Sequence, residues 1–142
     1  MRRRLALVAC LLAVAGAAAC GGDDTAGARK AAEGYVSTLG KRDGAGTCAL
    51  MTKGLQQQFL QAVARTDARF RGSSCRQAMQ AALDTISPAQ LRQFARAKIE
   101  NLKVDGDHGT FRYTVSRIRV DGRVSKEDGT WKVSCCVPGA GG

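Results

Sequence analysis

The cysteines are the residues of this chain with the greatest capacity for covalent chemistry. The 142-residue sequence holds six of them, at Cys10, Cys20, Cys48, Cys75, Cys135 and Cys136. A thiol can carry a lipid, form a disulfide or bind a metal, depending on its compartment and neighbours. Metal binding is disfavoured because no Cys-x-x-Cys occurs and the only histidine, His108, lies in a predicted turn. The sequence predicts no metal site and no cofactor.

Cys20 stands at the end of an N-terminal leader. Arg2–Arg4 form a basic start, Leu5–Gly16 is apolar, and Ala17–Ala19 supply small residues before the cysteine. This order resembles the signal of a bacterial lipoprotein, in which the cysteine becomes the lipidated first residue after cleavage. The resemblance implies that residues 1–19 are a signal peptide and that Cys20 holds the protein at the outer face of the cell membrane. In the alternative, an ordinary signal peptidase cuts after Ala19 and Cys20 is incidental.

The segment after the leader is small, polar and rich in glycine, which predicts a flexible tether over residues 20–27. Removing the leader lowers the Lys and Arg count from 22 to 19 against 12 acidic residues, so the mature chain stays basic. The basic residues are scattered, and export argues against nucleic acid as a partner. We expect a basic surface that faces the anionic membrane, reached through the lipid anchor.

One domain is predicted over residues 28–138, followed by a disordered tail over residues 139–142. Its first half has helical periodicity. The clearest apolar stripe comprises Ala28, Ala31, Ala32, Tyr35, Val36 and Leu39. Ser73-Ser74 is typical of a helix cap, and Ser87-Pro88 predicts a further helix that begins at the proline.

The second half predicts an antiparallel meander, because Asp-Gly pairs at 105–106, 121–122 and 128–129 separate alternating apolar residues. A two-residue turn at Asp128-Gly129 sets Val124 opposite Val133. A three-residue loop at Asp121-Gly122 sets Val120 opposite Val124.

Two further details follow from the alternation of side chains along these strands. A four-residue loop from Asp105 to His108 sets Leu102 opposite Phe111. Phe111 has odd parity and Ile118 even parity, so placing both in the core requires a β-bulge near Ser116-Arg117.

The order of these elements resembles the small exported members of the NTF2-like superfamily. The resemblance rests on the helix Ala31–Leu39 followed by Asp43, on Cys48 with Leu50, and on the closing hairpin Asp128–Val133. It implies an α+β fold in which N-terminal helices pack on a curved, antiparallel four-stranded sheet, an NTF2-like or cystatin-like cone. The strand that often lies between helices two and three of that family is not apparent. The family includes enzymes, ligand binders and inert modules, so it fixes no activity.

Four cysteines remain after the leader and the lipidated residue are set aside, and they allow three pairings. The family resemblance favours a Cys48–Cys75 disulfide, since exported members often carry a pair in similar places; two buried thiols are the alternative. Cys135 and Cys136 are adjacent, and neighbours in a strand point to opposite faces. We expect Cys135 in the core and Cys136 outside, either unpaired, paired elsewhere or joined as a vicinal disulfide.

The favoured function is that of a membrane-anchored, non-enzymatic interaction or ligand-binding domain. One alternative is a carrier of a small apolar, lipid-like ligand in the cone; a homodimer through the sheet is a further expectation. Another alternative is a ketosteroid-isomerase-like enzyme, which would need an inward carboxylate such as Glu100 or Asp84. The side chains expected to line the cavity are Tyr35, Phe94, Phe111, Tyr113 and Trp131.

Overall fold

The protein has an α+β architecture, with helices first and a four-stranded antiparallel sheet second. A computed structural model describes residues 20–136, with side chains from residue 24 onward. The helices are α1 Cys20–Gly40, α2 Gly44–Ala49, α3 Lys53–Thr66, α4 Cys75–Asp84 and α5 Pro88–Arg96, with a 3₁₀ helix at Ala68–Phe70. The strands are β1 Glu100–Asp105, β2 His108–Val115, β3 Ile118–Glu127 and β4 Thr130–Cys135, in the spatial order β1-β2-β3-β4.

Helix α1 lies on one face of the sheet and provides much of the core. All six residues of its predicted apolar stripe are buried, as the helical spacing indicates. Its contacts extend to β1, β3 and β4 as well as to α2 and α5. The helix therefore spans the inner face of the sheet, and the opposite, outer face is free of the described helices.

The shorter helices begin where side chains can cap them. The Ser74 hydroxyl accepts a hydrogen bond from the Gln77 N–H, and Gln77 Oε1 accepts one from the Ser74 N–H, forming a capping box. Ser87 and Gln90 form the same arrangement at α5, where Pro88 is the first helical residue. The predictions of a helix cap near Ser74 and of a helix beginning at Pro88 are confirmed.

The segment before α3 protects part of one sheet edge. Met51 forms an isolated parallel bridge with Val133 of β4. The Thr52 N–H donates to the Val133 carbonyl at 2.9 Å, and the Val133 N–H donates to the Leu50 carbonyl at 2.7 Å. These bonds join the helical half of the domain to β4 through the backbone.

Two hairpins follow the predicted registers. Val124 pairs with Val133 across a two-residue turn at Asp128-Gly129, which confirms that prediction. Between β1 and β2, Val104 pairs with Gly109, in the register predicted from the Asp105–His108 loop. Pairing continues one step further, so the turn consists of Gly106 and Asp107 alone and the predicted four-residue loop is wrong. A register shift follows between Glu100 and Lys103, and the predicted pairing of Leu102 with Phe111 is lost within it.

The predicted turn at Asp121-Gly122 is wrong. Strand β3 runs through this pair, and Val120 lies opposite Tyr113 instead of Val124. The predicted β-bulge near Ser116-Arg117 is also wrong, because these two residues form the turn between β2 and β3. Both residues have left-handed backbone, with φ of 52° and 68°. Ile118, expected in the core, begins β3 directly after this turn and is 66% exposed.

The predicted flexible tether over residues 20–27 is corrected as well, because this stretch forms the first turns of α1. Its end packs on the sheet, as the contacts of Asp24 and Gly27 with β3 and β4 show. The predicted signal peptide over residues 1–19 and tail over residues 139–142 lie outside the described residues, and Cys20 is described by its backbone alone.

Candidate functional site

The five side chains predicted to line a cavity meet in one hydrophobic cluster. Tyr35 comes from α1, Phe94 from α5, and Trp131 from β4. Phe111 and Tyr113, two apart on β2, point to the same face, with ring centroids 6.1 Å apart. All five are buried and packed among the aliphatic residues of the helices. All five therefore belong to the hydrophobic core, and their role as the lining of a ligand cavity stays a prediction.

The two tyrosine hydroxyls are buried polar atoms of this cluster, as is the indole Nε1 of Trp131. Tyr35 and Tyr113 are both fully buried, and neither hydroxyl has a hydrogen-bond partner among the described residues. Burial raises the pKa of each hydroxyl well above its usual range, and proximity to Tyr113 raises the pKa of Tyr35 further. Both hydroxyls are therefore neutral donors at physiological pH.

The two carboxylates that an enzyme would need in the cone, Glu100 and Asp84, lie outside the hydrophobic cluster. Glu100 and Asp84 are exposed, and Asp84 accepts a hydrogen bond from the Gln80 side chain at 3.0 Å. The buried polar residues of the described chain are Thr47 and Thr52, so no carboxylate or imidazole is fully buried in this part. His108 begins β2 and is exposed. Residues 20–136 also contain no cluster of three or more His, Cys, Asp or Glu side chains suited to a metal.

Cys48 and Cys75 form a disulfide between α2 and α4. Their sulfurs are 2.05 Å apart and their Cα atoms 6.1 Å apart, which is ordinary disulfide geometry. Beside it, the Gly44 N–H donates to Gln80 Oε1 at 3.1 Å. The two helices are thus held together both by a covalent bond and by a hydrogen bond.

Cys135 and Cys136 are also within bonding distance of each other. The expectation that Cys135 is a core residue is wrong: both cysteines are half-buried. The physical reason is a register shift in β4, which places Cys135 opposite Arg123 after Val124 has paired with Val133. The shift turns the end of β4 away from the hydrophobic core.

The start of α1 is fastened to the sheet by an ion pair. Asp24 contacts the Lys126 ammonium at 2.6 Å, and that ammonium lies 5.5 Å from the centre of the Trp131 ring. Lys126, and to a smaller extent the Trp131 indole, lower the pKa of the Asp24 carboxyl. At Gly27, an added Cβ would lie 2.7 Å from the indole ring, so the helix approaches Trp131 closely. Sequence patterns gave no signal for this contact.

The outer face of the sheet carries a depression of about 570 Å³, lined by both polar and apolar surface, that sequence reasoning missed. Its lining residues are Asn101, Lys103, Thr110, Phe111, Arg112, Asp121, Gly122, Arg123 and Cys136. Three of them are cationic and one is anionic. The incorrect turn at Asp121-Gly122 concealed the site, because the true β2–β3 register is what places Arg123 opposite Thr110.

No helix in the described part of the chain is long and apolar enough to cross a membrane. Comparison with protein-family models, with curated proteins and with solved structures finds no match for this chain.

Proposed function

We propose that this chain is a lipid-anchored bacterial protein whose NTF2-like domain acts at the outer face of the cell membrane as a non-enzymatic interaction module. The sequence supports the anchor through Ala17–Ala19 and Cys20. The packed cluster around Tyr35 and Trp131, with Glu100 and Asp84 outside it, supports a role other than catalysis.

The observation that carries the proposal is the ion pair between Asp24 and Lys126. Asp24 comes four residues after Cys20, and this pair attaches the helix to β3 close to the Trp131 ring. A lipid on Cys20 would therefore hold the domain by one defined end instead of through a long mobile tether. A defined attachment suits a protein that presents a surface to a partner.

The sheet topology determines which turns lie near the end of the domain that carries Asp24. The turns Gly106-Asp107 and Asp128-Gly129 lie at the same end of the sheet as Asp24, as the contacts of Lys126 with Asp24 and Asp107 indicate. The turn Ser116-Arg117 lies at the opposite end of β2 and β3. Helix α1, with 21 residues, extends for about 30 Å away from the anchored end.

The test of the anchor is the chemical state of Cys20 in the protein isolated from its native membranes. Intact mass spectrometry should show an acylated cysteine as the first residue, and Cys20→Ala should release the protein into the soluble fraction. Cys10→Ala is the matched control, because it alters the leader and leaves Cys20 in place. An unmodified first residue, or equal release by both variants, would contradict the proposal.

The unpartnered tyrosine hydroxyls favour a second candidate, a small ligand held in the core. Such a ligand would need an acceptor for the hydroxyls of Tyr35 and Tyr113 and an otherwise apolar surface. Replacing an unpartnered buried hydroxyl by hydrogen is neutral or stabilising by about 1 kcal/mol, whereas loss of a bonded hydroxyl destabilises by a similar amount. Tyr35→Phe and Tyr113→Phe therefore separate the candidates: destabilisation of the protein as isolated would support a ligand, and unchanged or raised stability would exclude it.

A further inference from the structure

We propose that the outer face of the sheet holds an oxyanion site, centred on Thr110, for a phosphate group. The site is independent of the lipid anchor, since its residues lie on the face opposite α1.

The first argument is the register of the strands. Lys103 of β1 pairs with Thr110 of β2, and Thr110 pairs with Arg123 of β3. The three residues form one row across the sheet, and opposed side chains in such a row share a face. Strands lie about 4.8 Å apart, so the Cα atoms of Lys103 and Arg123 lie about 10 Å apart, with Thr110 between them. Long side chains at that separation can both reach one anion above Thr110.

The second argument is the charge that remains after internal pairing. Arg112, two residues along β2 on the same face, donates from Nε to Asp121 at 2.6 Å. The side chains of Lys103 and Arg123 make no hydrogen bond or ion pair within residues 20–136. Three cations and Asp121 line the depression, which gives its lining a net charge of +2, opposite in sign to a phosphate monoester near neutral pH. Guanidinium groups suit this role because their donors fit oxyanions in pairs.

The third argument is the backbone at the two rims of the depression. Asn101 on one side has φ of 51°, and Cys136 on the other has φ of 80°. Asparagine adopts left-handed backbone more readily than most residues, whereas for Cys136 this conformation is costly, and such conformations concentrate at binding sites. Register shifts occur beside both positions, between Glu100 and Lys103 and between Arg123 and Val124. The two edge strands thus bend at the same level of the sheet, on either side of Thr110.

A second depression continues the first along the same face. Its volume is about 540 Å³, and Lys103, Thr110 and Arg123 line both. The polar residues of the extension include Asp105, whose carboxylate is anionic, as well as His108 and Ser125. The site therefore has room for the remainder of a phosphate monoester beyond the phosphate itself.

The probe for the site is inorganic phosphate, titrated against the full chain carrying Cys20→Ala so that lipidation plays no part. Amide NMR shifts should saturate at residues 103, 110 and 123, with a Kd of about 1 mM or tighter. Arg123→Gln and Thr110→Val should each weaken binding about 10-fold, the loss of one charge-assisted hydrogen bond. Arg76→Gln, an exposed arginine on α4, is the control of equal charge change and should bind as the parent does.

Two further binding measurements identify the source of the phosphate group. Glycerol 3-phosphate in solution and vesicles containing phosphatidic acid present the same group, and tighter binding to one of them assigns the ligand as soluble or as a lipid headgroup. Sodium chloride at matched ionic strength is the screening control. The proposal is overturned if sodium chloride produces the same shifts, if Arg76→Gln weakens binding as much as Arg123→Gln, or if the shifts map away from Thr110. Unchanged far-ultraviolet circular dichroism shows that each variant is folded.

Discussion

Gly122 of β3 lies directly opposite Phe111 of β2, and the Phe111 ring occupies the space that a side chain at residue 122 would need. A Cβ at that position would lie 2.7 Å from each ε carbon of the ring. The absence of a side chain is therefore a requirement of packing in the middle of a strand. The same glycine, next to an aspartate, has the sequence signature of a hairpin turn.

Gly122→Ala is expected to destabilise the protein by about 1–3 kcal/mol, because a buried aromatic ring would have to move in a packed core. Gly54→Ala is the control, since an added Cβ at Gly54 meets nothing within 4 Å and alanine favours helix α3. In urea unfolding, Gly122→Ala should have a lower free energy of unfolding than the parent, and Gly54→Ala a higher one. Equal stability of Gly122→Ala and the parent would show that the ring does not fill the space beside residue 122.

The helices could be predicted from the sequence because the residues that determine them are close together in the chain. Apolar residues such as Ala32 and Val36 repeat at helical spacing, and Ser87-Pro88 satisfies the requirements of a helix start in adjacent positions. The hairpin at Asp128-Gly129 was accessible for the same reason. In each case the residues that determine the local structure are neighbours in the chain.

The β2–β3 pairing was not accessible because its determinants are distant or lack a signature. Ser116-Arg117 forms a turn with two left-handed residues, although such turns favour Asn, Asp and Gly. The role of Gly122 becomes visible only when Phe111 is known to lie opposite. Without the right register, Lys103 and Arg123 could not be recognised as flanking Thr110. The proposed oxyanion site therefore could not be predicted from the sequence.

The Cys48–Cys75 disulfide is expected to contribute about 3 kcal/mol to stability, because it closes a loop across a sequence separation of 27. The double variant Cys48→Ala, Cys75→Ala should lose that amount in urea unfolding. The double variant Cys135→Ser, Cys136→Ser is the comparison, since adjacent cysteines close no loop. Non-reducing peptide mapping that joined Cys48 to Cys135 would refute the assignment, as would equal losses in the two double variants.

The two tyrosines should make the protein sensitive to alkali. They are the only tyrosines in the sequence, and burial raises the pKa of both. The folded state favours the neutral hydroxyls, so their contribution is fully present below the ordinary tyrosine pKa of about 10 and is lost as pH rises above it. Native protein at about pH 11 should show little tyrosinate absorbance near 295 nm, whereas urea-unfolded protein at the same pH should show both tyrosinates. Ionisation of the two tyrosines near pH 10 in the native protein would contradict the burial of their hydroxyls.

The attachment of α1 to the sheet should weaken in acid. The pKa of Asp24 is lowered mainly by the Lys126 ammonium, so the ion pair stabilises the folded state above the ordinary aspartate value and is lost as pH falls through the lowered one. Asp24→Asn should reproduce this loss at neutral pH, measured as faster hydrogen exchange in the part of α1 that follows residue 24. Asp67→Asn is the control, because Arg69 lowers the pKa of Asp67 in the same way in the 3₁₀ helix segment, outside α1. If both variants left exchange in α1 unchanged, the Asp24–Lys126 pair would not fasten the helix, and the defined orientation of a Cys20-anchored domain would lose its support.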